Sequence, residues 1–157
     1  MKLLKKGKKQ EAEIIFLEIL SEKRKNKYVL FQMGKIKLMY RDEKDAESYF
    51  VECIQYFPDN CYPRLELGKL YSKQGKEEEA EEQFKIIIEI EKDRTPHVRL
   101  ELGKLYSKQG KEKEAEEQFK KTIEIDKDRN PHARLELGKL YSKQGKEKEA
   151  EGQFKKA

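Results

Sequence analysis

Few residues in this 157-residue chain are of types that do chemistry: two histidines, His97 and His132, and two cysteines, Cys53 and Cys61. The histidines occupy equivalent places in two neighbouring stretches of near-identical sequence. A pair of imidazoles could begin a zinc site, but such a site needs three or four protein ligands, and no cysteine stands at ligand spacing from them. They read better as surface residues at helix starts. Cys61 opens a helical stretch and could be moderately reactive, yet no His/Asp pattern accompanies it as a nucleophile's base. Cys53 reads as a small packing residue. No glycine-rich phosphate loop, nucleophile elbow or zinc-protease motif appears. The expectation is a protein without catalytic residues, metal or cofactor. More suggestive are lysines four residues apart, such as Lys69/Lys73, Lys104/Lys108 and Lys139/Lys143, each pair sharing one helix face.

What must position these groups is set by composition and order. Charged residues make up 43% and hydrophobic ones 36%, polar enough that composition alone would suit disorder or a long helix. The net charge of +5 is uneven: residues 1–26 hold eight Lys/Arg against four Glu, a surplus of four. The rest is close to neutral, unlike a dedicated nucleic-acid binder. Two cysteines without a CxxC pattern point to a reducing compartment, and no apolar run approaches a membrane span. The basic start is followed by apolar residues interleaved with Glu11, Glu13 and Glu18, a poor secretory signal. The expected location is the cytoplasm, with no membrane partner.

Internal repetition decides the architecture. Residues 96–122 and 131–157 are near-literal copies, differing only at Val98/Ala133, Glu117/Gly152 and Thr122/Ala157. Landmark alanines recur at Ala12, Ala46, Ala80, Ala115 and Ala150, each followed four residues later by a phenylalanine. The periodicity divides the chain into a partial repeat at 1–26, full repeats at 27–60, 61–95 and 96–130, and a truncated repeat at 131–157. Within a repeat, Val98, Leu102, Leu105 and Tyr106 recur at three- and four-residue steps, one face of a helix. Pro96 suits a first turn and Gly110 a helix end. A second helix from about Lys111 to Asp126 carries Ala115 and Phe119, and a polar turn over 126–130 leads to Pro131. Gly103 sits mid-helix, where glycine costs about 1 kcal/mol against alanine. The expected reason is close approach by Ala115 and Phe119. A continuous coiled coil is excluded by Pro96, Pro131 and the glycines at 75, 110 and 145. One hairpin cannot bury its apolar face alone, so neighbours must stack. The expected fold is an all-α superhelix, a solenoid of stacked helical hairpins forming one domain.

Leu67-Gly68, Tyr71, Ala80 and Phe84, with their counterparts Leu102-Gly103, Tyr106, Ala115, Phe119 and Leu137-Gly138, Tyr141, Ala150, Phe154, resemble the tetratricopeptide repeat. The repeat at 27–60 matches less fully, with Met33-Gly34, Ala46, Phe50 and Pro58 but Lys37 in place of the tyrosine. The family's early tryptophan is replaced by Leu30, Arg64, Arg99 and Arg134, and Lys92 and Lys127 stand for its closing proline, so an altered turn between repeats is expected. The resemblance implies a concave groove lined by the first helix of each hairpin, holding a peptide or partner protein. The implied positions are Phe31, Leu65, Leu100 and Leu135; Lys35, Lys69, Lys104 and Lys139; Met39, Lys73, Lys108 and Lys143; and Tyr62, His97 and His132.

The lysines suit an acidic peptide, but Glu66, Glu101 and Glu136 could offset them and leave only a solvated face. Three roles compete: a protein-interaction scaffold, which is favoured; a docking or regulatory segment of a larger enzyme or regulator; and a nucleic-acid-binding array, disfavoured because the face shows Leu and Lys more than aromatic residues. Gly7, Ala12 and Phe16 repeat the spacing of Gly75, Ala80 and Phe84, so residues 1–26 read as a truncated hairpin rather than a membrane-surface helix. No capping repeat is evident. The chain therefore reads as a fragment, or as one whose open repeat ends stack head to tail on further copies.

Overall fold

The computed structural model describes residues 2–22, 26–127 and 131–157. The regular elements among them are helical. They run α1 (Lys2–Glu22), α2 (Lys27–Met39), α3 (Glu43–Tyr56), α4 (Cys61–Gln74), α5 (Glu77–Glu91), a 3-10 turn (Lys92–Arg94), α6 (Pro96–Lys108), α7 (Glu112–Asp126), α8 (Pro131–Lys143) and α9 (Glu147–Phe154). The expected polar turn over 126–130 lies outside the described residues beyond Lys127, as do residues 23–25 of the first partial repeat. Two compact units divide the chain, Met1–Leu70 and Tyr71–Ala157.

In the first unit, α2 and α3 form a hairpin and α1 packs on α2. The Asn26 side chain accepts from the amides of Tyr28 and Val29 at 3.1 and 3.2 Å, and Asp42 accepts from that of Asp45 at 3.2 Å. Both satisfy first-turn donors that a helix leaves open. Gly34 lies against the ring of Phe50, where any Cβ would collide with it. Met33, Ala46, Phe50 and Cys53 are fully buried around this approach. The reversal between α2 and α3 is made by Arg41 at φ 61°, whereas later hairpins use Gly75, Gly110 and Gly145 at 78°, 75° and 72°. Residues 2–22 form one helix that passes through Gly7 without the turn made at Gly75. Lys6 and Lys8 flank Gly7, and lysine favours continuing the helix.

In the second unit, α6 pairs with α7 and α8 with α9; α5 packs on α6, α7 packs on α8, and α6 also touches α8. A Cβ on Gly103 would lie 2.6 Å from Cε1 of Phe119, and one on Gly138 2.5 Å from Cε1 of Phe154. Phe119 and Ala115 are fully buried, and burying one such aromatic side chain contributes about 1.5–3 kcal/mol. Gln118 also borders the Gly103 site, at 3.2 Å. The first turns of α5, α7 and α9 carry Glu77–Glu79, Glu112/Glu114 and Glu147/Glu149, which favour the positive end of the helix dipole.

Candidate functional site

Tyrosines of the repeat signature tie successive hairpins together. The Tyr106 hydroxyl on α6 donates to Glu81 Oε1 on α5 at 3.0 Å, and Tyr141 on α8 donates to Glu116 Oε1 on α7 at 3.0 Å. Lys111 reaches Glu81 Oε2 at 3.3 Å and also lies over the Tyr106 ring, 5.3 Å from its centroid. Burial pushes the Glu81 carboxyl up, but hydrogen bonds from Lys85, Tyr106 and Lys111 outweigh it and hold the group below its ordinary range. Glu116 is likewise lowered, chiefly by Lys120. In the first unit, Lys37 stands where the signature has tyrosine, and its ammonium pairs with Glu13 of α1 at 2.9 Å. An ion pair thus replaces the tyrosine–glutamate bond, and the hydrogen bond to Glu13 raises the lysine's pKa. Arg99 and Arg134, which replace the family's tryptophan, donate to Gln118 and Gln153 at 3.1 and 2.9 Å across their own hairpins. Neither pairing could be read from the sequence, because partners 19 residues apart meet only once the hairpin closes.

The first helices also carry the positions implied as a groove lining, some in each unit. In the first unit, Phe31, Lys35 and Tyr62 come together. The Phe31 and Tyr62 ring centroids are 6.0 Å apart, and the Lys35 ammonium lies 5.6 Å from the Phe31 centroid. Tyr62 is 70% and Met39 53% exposed, while Leu65 is half-buried. Lys69 pairs with Glu66 at 3.5 Å.

In the second unit, Lys73, His97 and His132 are exposed and Leu135 is half-buried. Leu100 is only 6% exposed and serves the core. Lys104 pairs with Glu101 at 3.0 Å and Lys139 with Glu136 at 2.9 Å. Lys108 reaches Glu77 at 3.5 Å and the Ser72 carbonyl at 3.2 Å, and Lys143 reaches Glu112 at 3.5 Å. Lys104, Lys108, Lys139 and Lys143 therefore stand on the surface with carboxylates already beside them. Among the described residues, no group of three His, Cys, Asp or Glu side chains is arranged to hold a metal ion. The Cys53 thiol is buried, donates to the Lys27 carbonyl at 3.4 Å, and is pushed up by burial, away from the reactive thiolate.

Tetratricopeptide repeat models match residues 37–105 and 96–129. This chain belongs to the tetratricopeptide repeat family. Its all-α fold of helical hairpins is accordingly of tetratricopeptide type. Several solved structures share it. MamA is 22% identical with a TM-score of 0.85 over 99% of this chain and 90% of that one. A pilF structure from Pseudomonas aeruginosa is 17% identical, TM-score 0.85, over 98% of this chain and 69% of that one. A tetratricopeptide repeat protein from Parabacteroides merdae is 21% identical, TM-score 0.84, over 98% and 60%. At such identities the likeness is one of fold. Comparison with curated protein sequences returned no match. No helix among the described residues of this tetratricopeptide repeat chain is long and apolar enough to cross a membrane.

Proposed function

We infer that this chain is a non-catalytic protein-interaction scaffold of the cytoplasm, whose first-helix faces receive a peptide or a partner protein's surface segment, with acidic segments preferred. Repetition carries this reading. Two touching helices, α6 and α8, present the same outward set, His97, Lys104 and Lys108 on one and His132, Lys139 and Lys143 on the other. The pairs Lys104–Glu101 and Lys139–Glu136 lie within single helices, with lysine side chains 41% and 65% exposed. Such surface pairs contribute only about 0.2–1 kcal/mol, so an incoming carboxylate can displace the resident one at little cost. Micromolar affinity needs about 8 kcal/mol, however, so charge steers and apolar contact must supply most of the binding. Separately, the first unit offers apolar area of its own at Phe31, Met39 and Tyr62.

The test is a pull-down to obtain a bound peptide, followed by titration against the double substitution Lys104→Glu/Lys139→Glu. An acidic partner should bind at least tenfold more weakly and lose its salt dependence. Unaltered binding would remove the basic-face reading while leaving the scaffold standing.

A further inference from the structure

Helix α1 differs from the second helices α5 and α7 in two ways. Measured from the landmark alanine, α1 carries Ile14, Ile15 and Leu17 where α5 carries Glu82, Gln83 and Lys85, and α7 carries Glu117, Gln118 and Lys120. These three apolar side chains are 58%, 53% and 47% exposed, although Phe16 packs on Tyr28 and Glu13 is held by Lys37. Ile14 and Leu17 belong to a stripe at heptad-like steps of four and three, with Gly7, Gln10 and Ser21, while Ile15 lies off it. Gln10 and Ser21 are exposed as well.

The second difference is charge. Residues 2–9 of α1 contain five lysines and no acid, while 10–22 contain four glutamates and no base. The first turn has no acidic residue and the last turn no basic one. This arrangement opposes the helix dipole at both ends, whereas α5, α7 and α9 place glutamates in their first turns.

An antiparallel helix of the same sequence would cover Ile14 and Leu17 and answer the charge pattern. It lays each lysine-rich half along the partner's glutamate-rich half, and each helix C-terminus beside the other's N-terminus. The stripe is also compatible with two-fold symmetry about residue 12. Position 7 then falls opposite 17 and position 10 opposite 14, so Leu17 meets the space at Gly7. We propose that α1 is a homodimerisation helix, pairing antiparallel with α1 of a second copy of this chain. A single helix pair buries less than the roughly 1,600 Å² of a standard stable interface, so the dimer exchanges with monomer and weakens as salt screens the charges.

Sedimentation over a hundredfold range of protein concentration, at low and high salt, tests this on the full chain. The wild type should show a monomer–dimer equilibrium that shifts at least fivefold toward monomer between 50 mM and 500 mM salt. Ile14→Glu/Leu17→Glu should raise the dissociation constant at least tenfold with unchanged helical circular dichroism, because both side chains are already exposed. With Cys53 and Cys61 replaced by serine, a Gln10→Cys chain should cross-link by oxidation to an Ile14→Cys chain faster than either links to itself. A strict monomer at every concentration, a dimer indifferent to Ile14→Glu/Leu17→Glu, or preferential self-linking of the Gln10→Cys chain would overturn the proposal. So would open-ended oligomers lost on Phe154→Glu, which would indicate the head-to-tail arrangement instead.

Discussion

The hydroxyl of Tyr106 donates to the carboxylate of Glu81, 25 residues earlier and on the preceding hairpin, at 3.0 Å. Tyr141 repeats this with Glu116 at the same distance, so the bond belongs to the repeat rather than to one place in it. Tyr106 is 7% exposed, and removing its hydroxyl leaves the ring packing intact. Tyr106→Phe should therefore destabilise by about 1 kcal/mol, the net value of one such hydrogen bond. In a double-mutant cycle with Glu81→Gln, denaturant unfolding should show positive coupling between the two positions. Strict additivity would deny that the bond joins the hairpins.

The same carboxylates set an acid limit. Glu81 and Glu116 titrate below their ordinary 4.5 in the folded chain, so unfolding binds protons as the pH drops past that value. Their stabilisation is fully present above about pH 4.5 and is lost as the pH falls through the lowered folded values. Thermal unfolding between pH 3 and 7 should show the decline below pH 4.5, and Glu81→Gln/Glu116→Gln should flatten it. Tyr106 and Tyr141, raised chiefly by burial and then by their glutamates, add an alkaline limit. Their stabilisation is present below pH 10 and is lost as the pH rises through the higher folded values.

Gly103 has little room for a methyl group. A Cβ there would lie 2.6 and 2.8 Å from two carbons of the Phe119 ring, which is fully buried and cannot swing aside. Gly103→Ala should destabilise by about 1–2 kcal/mol, overpacking exceeding the roughly 1 kcal/mol gained in helix propensity. Adding Phe119→Leu should cost less in that background than in the wild type. Full additivity in urea melts would refute the collision.

Arg41 adopts φ 61°, in the left-handed region where its counterparts Gly75, Gly110 and Gly145 turn without penalty. A side chain there costs about 1–2 kcal/mol, partly offset because glycine adds freedom to the unfolded chain. Arg41→Gly should raise stability by about 0.5 kcal/mol, read as a higher urea midpoint at unchanged slope. A lower midpoint would mean that Arg41 makes contacts that outweigh the strain.

Much of this molecule is legible in residue order. Glycine, alanine and phenylalanine at fixed offsets specify a helix pair with one close approach, and near-literal repetition requires the pairs to stack. Proline and glycine mark where helices begin and turn, because each acts through its own backbone. Tertiary structure decided whatever depends on partners distant in sequence. It buried Leu100 while leaving Tyr62 in water, and set Glu77 and Glu112 beside Lys108 and Lys143. It replaced a tyrosine–glutamate bond with Lys37–Glu13 and joined Arg99 to Gln118. The physical reason is one of range. Backbone preference and apolar periodicity act over a few residues and are written locally. Exposure and ion pairing depend on which helices arrive alongside, and a spacing pattern does not state that.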